Sequence, residues 1–151
     1  ARGIVGLTIP ANNRCKAGVD EWEFQRSTTR HCLCGASGFE LIGEHNWVGH
    51  CHCESCRRAT ASPFTTWIGQ ENGTWQLLGD QPRTYNSSAG QQRGFCGTCD
   101  STMFYRSEQY PNEMHFYAAL LDNPEHISPQ QHYHADERLS WVHLSEGLPI
   151  A

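Results

Sequence analysis

The spacing of the cysteines constrains this chain more than any other feature of its sequence. Cys15 stands alone, and the other seven cysteines form three short clusters: Cys32-Leu33-Cys34, Cys51-His52-Cys53-Glu54-Ser55-Cys56 and Cys96-Gly97-Thr98-Cys99. A chain of 151 residues can bury enough surface to fold without covalent staples. A general need for stability therefore does not explain the clusters.

Three interpretations of the clusters compete: a disulfide framework, metal ligands and inert buried thiols. A disulfide needs Cα atoms about 4.4–6.8 Å apart with converging Cβ vectors, a geometry that near neighbours in sequence reach poorly. Inert thiols have no reason to cluster. Short C-x-C and C-x-x-C spacings suit tetrahedral zinc, and the nine histidines of the chain also favour a metal. The spacing therefore predicts metal sites.

The seven clustered cysteines divide naturally into four and three. The pairs Cys32/Cys34 and Cys96/Cys99 are far apart in sequence, and they form a four-thiolate site only if two distant parts of the chain meet. A closed site of four cysteines is typical of structural zinc, which stabilises the fold. The three remaining cysteines lie within one tight turn and predict a second site.

The second site consists of Cys51, Cys53 and Cys56. Three protein ligands with an open fourth position are typical of a catalytic zinc. The alternative is that a histidine completes the set, with His31, His50 and His52 nearest in sequence. His52 lies between two ligands, so we expect its side chain to point away from the metal.

Charge and hydropathy exclude several classes of protein. Acidic residues outnumber basic ones 16 to 11, the formal charge is -5, and Lys16 is the only lysine. This balance offers no basic face for nucleic acid. No window approaches the roughly 18 consecutive apolar residues of a membrane span, and no apolar signal core is visible near the start. Together with the clustered thiols, these features favour a reducing, cytoplasmic location.

Short runs of strand-forming residues separated by turns predict one all-β domain with short helical turns. The expected strands are 36–42, 47–48, 64–68, 75–78, 83–87, 93–96, 102–105 and 114–121, and residues 133–144 are expected to return to the sheet. One helical turn is expected over 54–59. Turns are expected at Asn72-Gly73, Gly79-Asp80 and Pro111-Asn112. Residues 1–30 are interpreted as an N-terminal extension with little regular structure, either native or derived from a tag, and residues 31–151 as the zinc domain.

The sequence around the cysteines resembles one known family. The segments 32–36, 50–58 and 95–99 are similar to those of the glutathione-dependent formaldehyde-activating enzyme family, also called the centromere protein V/Gfa family. Further similar segments follow in order: 61–64 with Trp67, 85–90, 93–95, 121–124, His134, Trp141 and 147–149. The resemblance covers about residues 31–149, and so many landmarks in order make a chance match improbable.

The resemblance implies a β-tent of folded-over β-sheets and two zinc ions. The structural zinc would take Cys32, Cys34, Cys96 and Cys99, and the catalytic zinc would take Cys51, Cys53 and Cys56, the partition that spacing also favours. The family reaction joins formaldehyde to glutathione to give S-(hydroxymethyl)glutathione, and it is classed with carbon–sulfur lyases in formaldehyde detoxification. The family usually has glycine where this chain has Asp100, which points to a positive φ at that position.

Zinc held by three thiolates is electron-rich and suits the binding of a substrate thiol as its thiolate. Glutathione has two carboxylates, and Arg57, Arg58 and Arg93 are the arginines expected to contact them, unless they are solvated or paired with acids such as Glu54. Trp67 and Phe64 are expected to fill the core, and His134 to be a hydrogen-bonded structural histidine rather than a proton donor. Cys15 is expected to be a free thiol.

Two other functions remain open at this stage. The first is a zinc enzyme that acts on another thiol adduct, because no residue pattern in the sequence specifies glutathione as the substrate. The second is a non-catalytic, zinc-stabilised module that binds a protein, because centromere protein V shares the domain. A homo-oligomer is compatible with either function, whereas nucleic acid and membrane are not expected as partners.

Overall fold

A computed structural model describes residues 27–144 and 147–150 of the chain. Cys15 and most of the expected N-terminal extension lie outside the described residues. Residues 27–30, which were expected to belong to that extension, form most of the first strand. The division of the chain into an extension and a zinc domain stays a prediction.

Ten strands and one short α-helix make up the regular structure of the described residues, together with three 3-10 turns. The strands are β1 (Ser27–His31), β2 (Ser37–Ile42), β3 (Trp47–Cys51), β4 (Thr65–Glu71), β5 (Trp75–Gly79), β6 (Arg83–Ser88), β7 (Gln91–Phe95), β8 (Thr102–Ser107), β9 (Glu113–Tyr117) and β10 (Gln131–Tyr133). Helix α1 (Glu54–Thr60) follows β3, and the 3-10 turns are Ala118–Leu120, Pro124–His126 and Ala135–Glu137. The prediction of an all-β protein with short helical turns is confirmed.

The strands form two sheets. A three-stranded antiparallel sheet has the order β1-β2-β5, and a seven-stranded sheet has the order β10-β3-β4-β9-β8-β7-β6. All neighbours in the larger sheet are antiparallel except β10, which runs parallel to β3. None of the helices in the described part of the chain is long and apolar enough to cross a membrane.

The core lies between one face of the larger sheet and the smaller sheet. Phe39 on β2 and Phe116 on β9 are fully buried, and their ring centroids lie 4.4 Å apart. Side chains along a strand alternate between the two faces of the sheet. His115 and Tyr117, on either side of Phe116, therefore point to the opposite face. Burial of the apolar face holds the two sheets together, and the opposite face is left for the three-cysteine cluster.

Two expected elements are wrong in part. The strand expected over 114–121 ends at Tyr117, where the 3-10 turn Ala118–Leu120 begins. The chain returns to the sheet at Gln131–Tyr133, earlier than the expected segment 133–144, and Ile150 then forms a bridge with His132. The physical reason is the backbone of His134, whose φ of +53° turns the chain out of the strand. A 3-10 turn follows at Ala135–Glu137.

Candidate metal centres

The four-cysteine cluster forms where the ends of two distant strands meet. Cys32 and Cys34 follow β1, whereas Cys96 and Cys99 follow β7, and all four Sγ atoms lie within 4.8 Å of one another. The Sγ atom of Cys34 lies 3.5 Å from that of Cys32 and 3.8 Å from that of Cys96. A tetrahedral zinc with bonds of about 2.3 Å separates its sulfur ligands by about 3.8 Å, so the group fits zinc. The assignment of these residues as ligands remains a prediction.

Neutral hydrogen-bond donors surround these thiols. The Ser37 hydroxyl donates to Cys96 Sγ at 3.6 Å, and the Ser37 backbone N–H donates to Cys32 Sγ at 3.4 Å. The Thr98 backbone N–H also donates to Cys96 Sγ at 3.4 Å and lowers the pKa of Cys96. The Ser101 hydroxyl lies 3.2 Å from Cys99 Sγ and lowers the pKa of Cys99 to about 5. These contacts favour thiolates, the form that binds a metal.

Asp100 ends the turn that carries Cys96 and Cys99. Its φ is +58°, and its backbone N–H donates to the Cys96 carbonyl at 3.0 Å. The positive φ expected from the family glycine is therefore present. Aspartate is among the residues that adopt this conformation at lower cost, so the turn forms without glycine.

The three-cysteine cluster is built by the junction of β3 and α1. Cys51 ends the strand, Cys53 is the N-cap of the helix, and Cys56 lies in its first turn. The Cys53 Sγ accepts a hydrogen bond from the Cys56 backbone N–H at 3.3 Å, the usual N-cap contact. The C-x-x-C spacing therefore serves helix capping and places both thiols on the same side of the turn.

The thiols of this cluster lie within 4.8 Å of one another and differ in exposure. Cys51 and Cys56 are each 7% exposed, and Cys53 is half-buried. Hydrogen bonding to Cys53 raises the pKa of Cys51, whereas the thiols of Cys51 and Cys53 lower the pKa of Cys56 to about 2. The surroundings of Cys56 therefore favour its thiolate form.

A buried arginine lies against Cys56. Arg93, on β7, is 4% exposed, and its Nη2 lies 3.9 Å from Cys56 Sγ and 3.0 Å from Ser55 Oγ, to which it donates. Its Nη1 donates to the Tyr117 hydroxyl at 3.2 Å, and its guanidinium carbon lies 5.0 Å from the ring centroid of Tyr105. Arg93 also contributes to the low pKa of Cys56.

The other two arginines expected at the site also have partners. Arg57 donates from Nε to the His52 carbonyl at 2.9 Å and from Nη2 to the Glu137 carbonyl at 3.5 Å. Arg58 is exposed and pairs with Glu54 at 2.7 Å, one helical turn away. Of the three, Arg93 is the one whose guanidinium contacts a thiol of the cluster.

The histidines considered as fourth ligands form hydrogen bonds elsewhere. His31 contacts Asp122 at 3.3 Å, and His50 Nδ1 lies 3.0 Å from Thr66 Oγ1. His52 is fully buried, its Nε2 lies 3.0 Å from His132 Nδ1, and burial lowers its pKa. Among the described residues, the group that could hold a metal here contains the three cysteines and no histidine.

Aromatic side chains form the wall beside the cluster. Trp67 is 4% exposed, as expected of a core residue, and its ring centroid lies 4.1 Å from that of Tyr117. Both rings pack with Cys51 and Cys56 in one buried group. His134 lies on the surface, 3.6 Å from the Glu137 carboxylate, away from this group.

Two further residues of the site, Ser55 and Tyr117, were not predicted from the sequence. Ser55 precedes Cys56, and its position gave no sign that its hydroxyl would accept from Arg93. Tyr117 lies in the expected strand 114–121, and alternation from buried Phe116 would have placed it on the other face. The contacts of both residues with Arg93 depend on strand order, which local sequence does not reveal.

Comparison with known proteins agrees with the family resemblance seen in the sequence. The family whose sequence model matches is described as glutathione-dependent formaldehyde-activating enzyme, and the match covers residues 27–137. An uncharacterized lyase of Schizosaccharomyces pombe is 29% identical over 98 residues, which are 65% of this chain and 71% of that protein. A protein of Halomonas elongata, provisionally named a glutathione-dependent formaldehyde-activating enzyme, is 22% identical over 122 residues, 75% of this chain and 78% of that protein.

A similar fold is known from a crystal structure of a Rhodobacter sphaeroides protein. The similarity has a TM-score of 0.54 at 18% sequence identity and covers 82% of this chain and 99% of that chain. At this identity the similarity concerns the fold alone.

Proposed function

The chain belongs to the glutathione-dependent formaldehyde-activating enzyme family, and on this premise we propose that it is a zinc-dependent enzyme of the carbon–sulfur lyase type. The proposed reaction joins formaldehyde and glutathione to give S-(hydroxymethyl)glutathione. The observation that carries the proposal is the convergence of three thiols, those of Cys51, Cys53 and Cys56, with no fourth ligand among the described residues. Since zinc takes four ligands, such a set leaves one position for a substrate.

The proposed reaction balances without a further reactant. The glutathione sulfur bonds to the formaldehyde carbon, the carbonyl π bond breaks, and its oxygen takes up the proton that the thiol loses. When bound to the three cysteines, zinc would supply the acidity that keeps a thiol deprotonated at neutral pH. The protein then has to hold that sulfur and admit a small aldehyde.

The residues around the cluster suit this task. Cys51 and Cys56 hold the inner side of the site, and the half-buried Cys53 lies toward solvent. The buried rings of Trp67 and Tyr117 exclude water from the inner side, which strengthens the electrostatic interactions of the thiolates. The four-cysteine cluster is proposed to hold a second, structural zinc, so that each chain contains two ions.

The test is the rate of exchange between glutathione and S-(hydroxymethyl)glutathione, measured by NMR at equilibrium with zinc-loaded protein. We expect exchange faster than the spontaneous rate, and loss of this acceleration in Cys53→Ser with one equivalent of zinc retained. Cys15→Ser is the matched control, because Cys15 stands apart from the three cysteine clusters of the sequence. Exchange at the spontaneous rate with fully loaded protein would overturn the proposal.

A second candidate function is action on a different thiol adduct. It is favoured by the partners of the three arginines expected to bind glutathione, because Arg57, Arg58 and Arg93 all have contacts within the protein. The same exchange measurement with cysteine and with 2-mercaptoethanol distinguishes the two functions. Faster exchange with either of these thiols than with glutathione would favour the second, and no acceleration with any thiol would favour a non-catalytic module.

A further inference from the structure

Arg93 distinguishes the three-cysteine cluster from the other cluster. At the four-cysteine cluster, the hydrogen bonds that the structure shows to the thiols come from neutral groups of Ser37, Thr98 and Ser101. At the three-cysteine cluster, a guanidinium that is 4% exposed lies 3.9 Å from Cys56 Sγ. A buried cation carries a large desolvation cost, so its position beside a thiol calls for an electrostatic reason.

The contacts of Arg93 fix its position. Ser55 and Tyr117 accept hydrogen bonds from its two terminal nitrogens, at 3.0 Å and 3.2 Å, and the Tyr105 ring lies at 5.0 Å. These partners come from α1, β9 and β8, so three elements hold one side chain. Arg93 is therefore a fixed charge rather than a mobile arm that could follow a substrate.

The charge of the cluster explains the need for a fixed cation. Three thiolates around Zn²⁺ leave a net charge of about -1, and a fourth thiolate raises it to about -2. A neutral fourth ligand leaves the charge unchanged. A guanidinium at this distance is weakly screened because the group is buried, so it stabilises the thiolate-bound state more than the neutral one.

We propose that Arg93 is a positioning residue that makes the three-cysteine centre prefer an anionic thiolate as its fourth ligand. The inference rests on the proposed function, because it concerns the ligand that the enzyme would bind there. It replaces the expectation that Arg93 contacts a glutathione carboxylate, since the buried guanidinium is already held by Ser55 and Tyr117.

The test compares two small ligands of the cobalt-substituted protein. Cobalt(II) reports thiolate binding through its charge-transfer and d–d absorption. The probes are 2-mercaptoethanol, which has no carboxylate, and imidazole, which binds as a neutral molecule. In Arg93→Gln we expect the Kd of 2-mercaptoethanol to rise roughly 10- to 100-fold, the range of a hydrogen bond to a charged group, while the Kd of imidazole stays within about 3-fold. Arg93→Lys should recover part of the loss, because it keeps the charge.

Arg106→Gln is the matched control, since Arg106 lies on neighbouring β8 and donates to Gln92 away from the cluster. It should leave both dissociation constants unchanged. If Arg93→Gln fails to fold, Arg93→Lys and Ser55→Ala are measured instead, and both should weaken thiol binding more than imidazole binding.

Four results would overturn the inference. Equal weakening of the binding of both ligands in Arg93→Gln would make Arg93 merely structural. Glutathione is titrated as a third ligand, and weaker binding of glutathione with unchanged binding of 2-mercaptoethanol would make Arg93 a carboxylate contact. Thiol binding that is unchanged in Arg93→Gln would remove the role of Arg93 and leave the proposed function intact. If no thiol binds the cobalt form of the wild-type protein, the proposed function and the inference both fail.

Discussion

The two cysteine clusters use the same ligand atom in different surroundings. The four-cysteine cluster joins the loop after β1 to the loop after β7, and these strands belong to different sheets. The three-cysteine cluster lies within the short segment 51–56 and connects no distant parts of the chain. A metal in the first cluster therefore closes a long loop and stabilises the fold, whereas a metal in the second has little loop to close.

The two clusters also differ in their burial and in the charge of the groups beside their thiols. Cys32 and Cys96 are fully buried in the main core, and the recorded hydrogen bonds to their thiols come from uncharged groups. Cys56 faces the cation of Arg93, and Cys53 is half-buried. The site proposed to stabilise the fold and the site proposed to react therefore differ less in their ligand atoms than in connectivity, exposure and neighbouring charge.

The largest expected effect is that of Cys96→Ser. Structural zinc contributes roughly 10–16 kcal/mol in small zinc domains, so we expect the free energy of unfolding to fall by about 5 kcal/mol or more. Urea unfolding followed by circular dichroism, together with metal content, measures the loss. A variant that stays folded with both metals would break the comparison, because the four-cysteine cluster would then not hold the sheets together.

The second largest expected effect is that of Cys53→Ser, which should reduce activity and leave stability almost unchanged. Serine is a good N-cap, so α1 should persist and the free energy of unfolding should change by less than about 2 kcal/mol. The chain should retain one equivalent of zinc instead of two and lose its acceleration of thiol–aldehyde exchange. Normal exchange at one equivalent of zinc would exclude a catalytic role for this cluster.

A smaller effect separates two serine hydroxyls, one beside each cluster. Ser37→Ala removes a donor to Cys96 and should lower the free energy of unfolding by about 1 kcal/mol. Ser55→Ala removes an acceptor of Arg93 and should instead weaken thiol binding roughly 2- to 10-fold. Chemical unfolding and the cobalt titration measure both quantities for both variants. If Ser37→Ala and Ser55→Ala changed the free energy of unfolding and thiol binding in the same way, the two clusters would not be functionally distinct.

The smallest effect concerns the turn that follows each cluster. Ala61 ends α1 with a φ of +51°, and Asp100 ends the other turn at +58°. Because alanine tolerates this conformation less well than aspartate, Ala61→Gly should raise the free energy of unfolding by about 0.5–1 kcal/mol, and Asp100→Gly by less than about 0.5 kcal/mol. Ala59→Gly, inside α1, is the matched control and should lower it by about 1 kcal/mol.

Local sequence predicted most of the strands. The expected runs 36–42 and 75–78 correspond to β2 and β5, because strand propensity and the bounding turns act over a few residues. Residues 134–144 were misassigned because the positive φ of His134 is not visible in propensity. The parallel pairing of β10 with β3 was equally beyond local signals, since it joins segments far apart in sequence.

The spacing along the chain predicted the grouping of the cysteines, and the resemblance to the family pointed to the positive φ at Asp100. Both follow from short-range geometry, since ligands one or two residues apart and a single turn depend on few backbone dihedrals. The contact of Arg93 with Cys56 was not predictable from the sequence, because it needs β7, β9 and α1 to meet. The order of strands in the sheet is set by burial of the whole apolar face, a property of the complete chain rather than of any one segment.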